Sequence, residues 1–191
     1  MGKYEVVKTF NNIETGTKRA TVRALNRAVK SAFSNTSKFI RETYNIKKED
    51  LEKFAKIIPA SLTNMVAKLI VNRKAVGLYK YKARQNRLGV TASQRKGEKK
   101  LYRHAFIASM KAGETGTHTG VFIRTGVKKI ATKGRYEGKM REQIKELFGA
   151  SPYNLFKDEI AQKFLQEKFV ERFNIEFSRQ IEYESSRVLS K

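Results

Sequence analysis

Segments with the pattern of β-strands lie together in the middle of this chain, and segments with the pattern of helices lie at both ends. Between Pro59 and Gly126, short runs rich in β-branched and aromatic residues are separated by turns that contain Gly, Asn and Thr. Such short connections favour antiparallel pairing, because parallel strands need long crossovers. Strands that are grouped, not interleaved with helices, argue against a doubly wound α/β fold and indicate an α+β protein.

The N-terminal helical pattern runs from Thr17 to Tyr44, where apolar residues recur at helical spacing and Lys and Arg fill much of the other face. Thr15 or Thr17 is the expected cap, and Asn45 ends the pattern. The next segment, KKEDLEKFAKII, predicts a short second helix that stops before Pro59.

The C-terminal helical pattern begins at Ser151 and Pro152, which suit the N-cap and the first helical position. A stripe of Phe and aliphatic residues follows at helical spacing, and such stripes are mostly core. We therefore predict one domain, 1–191, in which residues 1–58 are helical, 60–126 are β-rich and 140–191 are helical. The central antiparallel sheet is expected to have four or five strands and to carry a basic β-arm.

The positive charge of this chain indicates more about its partners than about its fold. The sequence has 41 Lys and Arg residues against 18 Asp and Glu residues, a formal charge of +23. Residues 68–103 alone hold 12 basic residues and one acidic residue. Such a field attracts polyanions and acidic protein surfaces. The expected partner-binding cations of the arm are Lys80, Lys82, Arg84, Arg87, Arg95, Lys96, Lys99 and Lys100.

Composition leaves three interpretations of this basic segment open: a solvated cationic hairpin that binds no partner, and two kinds of partner. Lys and Arg interleaved with Tyr81 and Tyr102 can neutralise phosphates and stack on bases, as in a nucleic-acid-binding protein that acts through residues 68–103. The same cations suit an acidic protein surface, which steers association without any nucleic acid.

Other chemistry finds little support in the sequence. The chain has no cysteine and no apolar run of the ~20 residues that span a bilayer, as expected of a chain that folds in the cytoplasm without a membrane. His104 and His118, with Glu114, could ligate a metal, but paired histidines on a hairpin are commonly cross-strand neighbours. Asp50 and Asp158 lie in ordinary helical patterns. We therefore expect no enzyme activity and no cofactor.

Several segments, in order, resemble the minor tail protein Z family of tailed bacteriophages, the tail completion proteins. They are ALNRAVKSAFSNTSKFIRETYNIKKEDL, GLYKYKARQNRLGVTASQRKGEKK, HAFIASM, GTHTGVFIRTG and REQIKELFGASP, and together they cover roughly residues 20–156. The chain departs from the family pattern in three places. GTHTGVF has a Thr between its first Gly and His, FGASP stands where the family tends to carry Gly-Pro-Ser, and the segment ATKGRYEGKMRE is longer than the usual link.

The resemblance implies a structural virion protein that completes the head-proximal end of the tail and is required for head–tail joining. It implies assembly in the host cytoplasm and a final place in the tail or neck. The implied partners are other copies in a hexameric ring, the tail terminator or tail tube, the head–tail connector and the end of the phage DNA, without a membrane. The matched motifs imply structural roles for His118, Gly120, Val121, Phe122, Arg124, Ile144, Glu146, Leu147 and Gly149.

Overall fold

Four α-helices and three small antiparallel sheets, of two, three and three strands, make up the described part of the chain. The computed structural model describes the backbone of residues 3–112, 116–132 and 136–189, and the side chains of residues 13–111, 116–132 and 136–187. The α+β class is confirmed, whereas the single sheet of four or five strands is wrong. None of the helices in the described residues combines the length and the hydrophobicity of a membrane-spanning segment.

The chain divides into two compact units. The first, which we call the helical unit, comprises residues 1–40, 52–72 and 155–191, and the second, the sheet unit, comprises residues 41–51 and 73–154. The predicted grouping of strands in the middle of the chain therefore holds mainly for the sheet unit, and the prediction of one domain remains a prediction.

Helix α1, Lys3–Thr43, is longer than its sequence pattern indicates. The Thr17 hydroxyl donates a hydrogen bond of 2.9 Å to the Ile13 carbonyl one turn earlier, so it lies inside the helix and does not cap it. The expected end before Asn45 is confirmed, because the helix stops at Thr43.

Helix α4, Glu159–Leu189, packs antiparallel to α1 in the helical unit. The ring of Phe39 stacks on that of Phe164 with 4.7 Å between centroids, while Arg23, earlier in α1, bonds Glu184, later in α4. The buried face of α1 has a small residue at every fourth position, and at its start a Cβ on Gly16 would lie 3.5 Å from that of Glu184 in α4. The small residues are Gly16, Ala20, Ala24, Ala28 and Ala32.

Glu176 is the most deeply buried acid in the α1–α4 contact, with 1% of its surface exposed. Its carboxylate accepts a hydrogen bond of 2.7 Å from Arg27 and lies 2.6 Å from Arg172 and 3.7 Å from Arg179. The hydrogen bond from Arg27 is the main reason why the pKa of Glu176 lies below its ordinary value. The buried charge is thus matched by guanidinium groups that remain partly exposed to water.

We expect Glu176→Gln to lower the free energy of unfolding by about 1.5–3 kcal/mol at pH 7, the usual range for a hydrogen bond to a charged group. A carboxylate whose pKa is depressed by folding stabilises the folded state fully at a pH above the pKa of the unfolded chain. This stabilisation decreases below that pKa and is lost as the pH falls through the lower pKa of the folded state. Thermal melts of both proteins at pH 7 and pH 3 should therefore show a gap that shrinks at pH 3. An equal gap at both pH values would contradict the ion-pair account.

Strands β1, Ala55–Ile58, and β2, Lys68–Val71, form an antiparallel hairpin in the helical unit, with Ile57 opposite Leu69. The predicted second helix is therefore wrong in its second half, since α2 covers only Lys48–Glu52. The physical reason is tertiary: half-buried and exposed residues alternate along β1, and β-branched Ile57 fits that pleated surface. Asn26 of α1 holds the following loop by donating to the Ala60 carbonyl and accepting from the Ala60 amide.

Helix α3, Pro152–Lys157, begins as predicted, because the Ser151 hydroxyl accepts a hydrogen bond of 3.2 Å from the Asn154 amide. The C-terminal helical segment differs from the prediction in two respects. It is interrupted at Asp158 before α4, and residues 140–151 are not helical. After the interruption Ile160, expected in the apolar stripe, is 67% exposed.

The sheet unit contains a 3₁₀ turn, Leu78–Lys80, and two three-stranded sheets. The first sheet is β3–β4–β5, formed by Arg84–Asn86, Gly89–Ala92 and Lys100–Arg103, and the second is β6–β7–β8, formed by Phe106–Ala112, Gly116–Ile130 and Met140–Glu146. The expected strand LYRHAFIASM is divided between them, because His104 adopts φ +58° and turns the chain. A buried cluster joins both sheets: Leu78, Val90, Ala92, Ala105 and Val121.

Candidate partner-binding surface

The basic segment 68–103 is not a separate arm in the sheet unit, because its central strand belongs to the core. Val90 and Ala92 of β4 are buried against Leu78 and Val121. Strands β3 and β5 pair with β4 on either side and carry mostly exposed residues. The cations of these strands are therefore held on a packed sheet, which limits their freedom.

All eight cations expected to bind a partner are exposed, and four of them meet at one groove. The groove has a volume of about 920 Å³ and is lined on its cationic side by Lys82, Arg84, Lys96 and Lys99. Asn45, Gln85, Asn86 and Ser93 add uncharged polar groups, and no Asp or Glu is among the described residues that line it. The groove is thus suited to a negatively charged surface.

Two more of these cations, Arg95 and Lys100, lie over aromatic rings beside a neighbouring depression. The guanidinium of Arg95 is 5.5 Å from the ring centre of Tyr44, and the ammonium of Lys100 is 5.5 Å from that of Tyr102. Cation–π contacts of this kind hold a charge in place while leaving it accessible to a partner.

Lys80 and Arg87 stand apart from the groove. The Lys80 ammonium lies 3.5 Å from the Asp50 carboxylate, so an acid of the protein itself partly neutralises it. Arg87 lies in the turn between β3 and β4 and does not line the groove. The structure therefore assembles part of the predicted set at one place and leaves these two outside it.

Tyr81 cannot stack on a base, contrary to the nucleic-acid interpretation of the sequence, because it is fully buried. Its hydroxyl donates a hydrogen bond of 2.7 Å to the Ala150 carbonyl, and burial, with a smaller contribution from Asp50, raises the pKa of the Tyr81 phenol. Tyr102 is half-buried and accepts a hydrogen bond of 3.1 Å from the Gln94 amide. Of the two tyrosines considered for stacking, Tyr81 therefore serves in packing and Tyr102 is partly covered.

The motif residues of the expected hairpin meet where β7 is paired on both sides. Phe122 lies opposite Phe106 of β6 and Glu146 of β8. The Glu146 carboxylate is 2.7 Å from His118 Nε2. It also approaches Gly120, where an added Cβ would lie 2.8 Å from it, so a larger residue would displace the Glu146 carboxylate from this contact.

The chain after β8 is bonded to the core through three motif residues, Val121, Leu147 and Gly149. The Leu147 amide donates to the Val121 carbonyl at 2.8 Å, and the Gly149 amide donates to the Val76 carbonyl at 2.8 Å. A Cβ on Gly149 would lie only 2.3 Å from Cε2 of Tyr81, so the ring requires glycine at this position.

The last two motif residues, Arg124 and Ile144, are paired across β7 and β8 but lie at the surface. Arg124 lies 5.8 Å from the ring centre of Phe106 and 3.9 Å from the Glu142 carboxylate. These two residues begin a two-stranded extension of the sheet that the sequence pattern did not indicate as a surface feature.

The remaining candidates for chemistry are not assembled into a site. Among the described residues, no group of three His, Cys, Asp or Glu side chains could hold a metal ion. His118 is engaged with Glu146, whereas His104 is exposed at its turn. Glu114, the third ligand considered for a metal, lies outside the described residues.

Sequence reasoning missed the residues that connect the end of α1 to the groove. Asn45 donates through its side-chain amide to the Ser93 carbonyl and hydroxyl, and its backbone amide donates to the Gln94 carbonyl. The available signal was the position of Asn45 immediately after a long helix, where a polar residue commonly bonds nearby backbone groups. The same amide lines the cationic groove.

Comparison with known proteins identifies a family for this chain. No curated protein and no solved structure matches this chain. The family model described as prophage minor tail protein Z (GPZ) matches residues 1–191, which is the whole chain. Minor tail proteins are structural components of the phage tail, so the match indicates a structural role in the virion and contacts with other virion proteins. The chain therefore belongs to the prophage minor tail protein Z family.

Proposed function

We propose that this protein completes the head-proximal end of the phage tail and is required for the tail to join the head. The observation that carries the proposal, beyond membership of a minor tail family, is the cationic groove lined by Lys82, Arg84, Lys96 and Lys99. A tail end must bind a preformed partner quickly and in one orientation. Arg84 lies on β3, and the other three cations lie in the connections that flank β3 and β5. Charges of one sign gathered beside a packed sheet supply both steering and orientation.

The proposed partner of the groove is an acidic surface of the tail terminator, the tail tube or the head–tail connector. Each exposed ion pair contributes only about 0.2–1 kcal/mol, so one copy binds weakly. We propose that six copies act as a ring, because several weak contacts that engage together raise the overall affinity without any new contact. Assembly in the host cytoplasm and final location in the neck follow from the same proposal.

A second candidate partner of the same groove is the end of the phage DNA. Its four cations can neutralise phosphates, and the uncharged polar residues beside them can bond phosphate or sugar oxygens. The burial of Tyr81 leaves this interpretation without one of its two stacking residues, so binding would depend on phosphate contacts. The affinity for duplex DNA would then fall steeply with salt, with a log–log slope of about −0.9 per phosphate contact.

We expect the variant K82E/R84E/K96E/K99E to fold normally and to reduce head–tail joining in vitro by more than about tenfold, since 1.4 kcal/mol corresponds to a factor of ten. The groove side chains are exposed, so their reversal adds repulsion toward an acidic partner without disturbing the core. Joining is measured with purified heads and with tails that lack the protein.

The matched control reverses four exposed lysines of the helical unit, Lys30, Lys38, Lys53 and Lys56. It changes the net charge equally and should leave joining near the wild-type level. Full joining by the groove variant, or equal loss in both variants, would contradict the role of the groove. Binding of short duplex DNA by the same proteins over a range of salt distinguishes the DNA partner from an acidic protein.

A further inference from the structure

The ribbon formed by the outer halves of β7 and β8, residues 124–130 and 140–144, exposes apolar side chains. Lys128, Lys129 and Ile130 pair with Glu142, Arg141 and Met140 after a register shift, and β6 pairs only with the earlier part of β7. Ile130 is 60% exposed and Met140 is 65% exposed. A two-stranded ribbon is marginally stable alone, and exposed apolar patches mark interaction sites.

The ribbon borders a groove that combines apolar and cationic groups. The groove has a volume of about 640 Å³ and includes Ile130 and Ile144 from the ribbon and Phe106 and Met110 from β6. Its charged residues are Arg124, Lys129, Arg141 and one acid, Glu142, which lies 3.9 Å from Arg124, so the lining keeps a net positive charge. The segment that contains the ribbon turn is strongly basic, since residues 127–141 include six Lys or Arg and one Glu. The groove therefore suits a partner surface that is both apolar and acidic.

One exposed face at the start of α4 has this composition. Ile160, Glu167, Val170 and Glu171 follow one another at intervals of seven, three and one residues, which places them on the same side of a helix. All four are exposed, Ile160 at 67% and Val170 at 54%. The stretch 158–171 has four acids and two lysines, a net charge of −2 in a chain of +23.

We propose that the ribbon groove of one copy binds the 160–171 face of α4 from a second copy. Apolar residues of the helix face cover those of the groove, as when an amphipathic helix lies in a complementary groove. Glu167 meets the groove cations, and Glu171 joins it by exchanging its exposed partner Lys168, 2.7 Å away on the same helix, for a groove cation. This inference rests on the proposed function in that it supplies the contact of the ring. Because groove and helix face are different surfaces, the contact is heterologous and each copy can bind two others, as a closed ring requires.

Cysteine cross-linking tests this contact, since the native chain has no cysteine. Full-length Ile130→Cys and Val170→Cys proteins are mixed, oxidised and separated under denaturing conditions. We expect a disulfide-linked dimer of about 44 kDa, twice the 22.0 kDa chain, at several times the yield of a control mixture of Leu88→Cys with Val170→Cys. Leu88 is an exposed residue of the turn before β4.

The double variant I130C/V170C should give a ladder of linked species beyond the dimer. A yield no higher than the control, or a disulfide that closes within one chain, would overturn the inference.

Charge exchange provides a second test. The variants K129E/R141E and E167K/E171K should each weaken self-association by more than tenfold when alone, and an equal mixture of the two should restore it. Self-association of the mixture no stronger than that of either variant alone would also overturn the inference.

These outcomes are distinguishable from failure of the proposed function. Loss of cross-linking in a protein that still supports head–tail joining would reject the contact and leave tail completion standing. If cross-linking is efficient but heads and tails join without the protein, tail completion is rejected and the contact is retained.

Discussion

Phe122→Asp should prevent stable folding of the sheet unit. Phe122 is buried at the centre of β7, with its ring 6.2 Å from that of Phe106 and its backbone opposite Glu146. An aspartate there would be a buried charge, and the carboxylate-bearing Glu146 lies directly opposite it on β8. Burying an unpaired polar group already costs about 2–7 kcal/mol, and a charge costs more, whereas the whole fold is stabilised by about 5–15 kcal/mol.

Thermal unfolding followed by circular dichroism checks this expectation, with Phe122→Leu as the matched control. Leucine keeps the site apolar and should retain a cooperative transition at a moderately lower temperature. A cooperative transition of Phe122→Asp at the wild-type temperature would show that the side chain is not in the core.

Tyr81→Ala should produce the second large effect, a loss of about 3–5 kcal/mol, as is usual when a buried aromatic side chain is truncated to alanine. The Tyr81 ring contacts the backbone of Gly149, and its hydroxyl bonds the Ala150 carbonyl. Tyr81→Phe is the matched control, because it removes only the hydroxyl and should cost about 1 kcal/mol.

A double-mutant cycle with Gly149→Ala makes this test specific. Alone, Gly149→Ala should cost about 1–3 kcal/mol, because the added methyl group would overlap the Tyr81 ring. In the Tyr81→Ala background the ring is gone, so the same change should cost far less. Chemical denaturation of the four proteins gives the coupling free energy, and additive losses would contradict the contact.

The sequence predicted features that depend on local patterns. The grouping of strands between helices follows from periodicity, and the Ser151 cap follows from the bonding capacity of its hydroxyl. In each case the responsible interactions join residues that are close in the chain, and they can therefore be inferred without the fold.

Features that depend on distant partners were not predictable in the same way. Residues 55–58 carry a helical pattern but pair with β2, a choice made by tertiary contacts. The basic segment looked like an arm because the burial of Val90 and Tyr81 depends on residues such as Val121 and Gly149. Likewise, the cations of the groove could be predicted from the sequence, but their arrangement around one groove could not. Residues distant in the chain, such as Asn45 and Lys99, line the same groove only in the folded sheet unit.

The location of the protein in assembled particles tests the central claim most directly. Tails lacking the protein are supplied with a gold-labelled single-cysteine variant such as Arg19→Cys, exposed on α1, and are then mixed with heads and imaged by electron microscopy. Tail completion predicts label only at the tail end that meets the head, and joining only when the protein is supplied. Label along the tail or at the opposite end, or efficient joining without the protein, would contradict it.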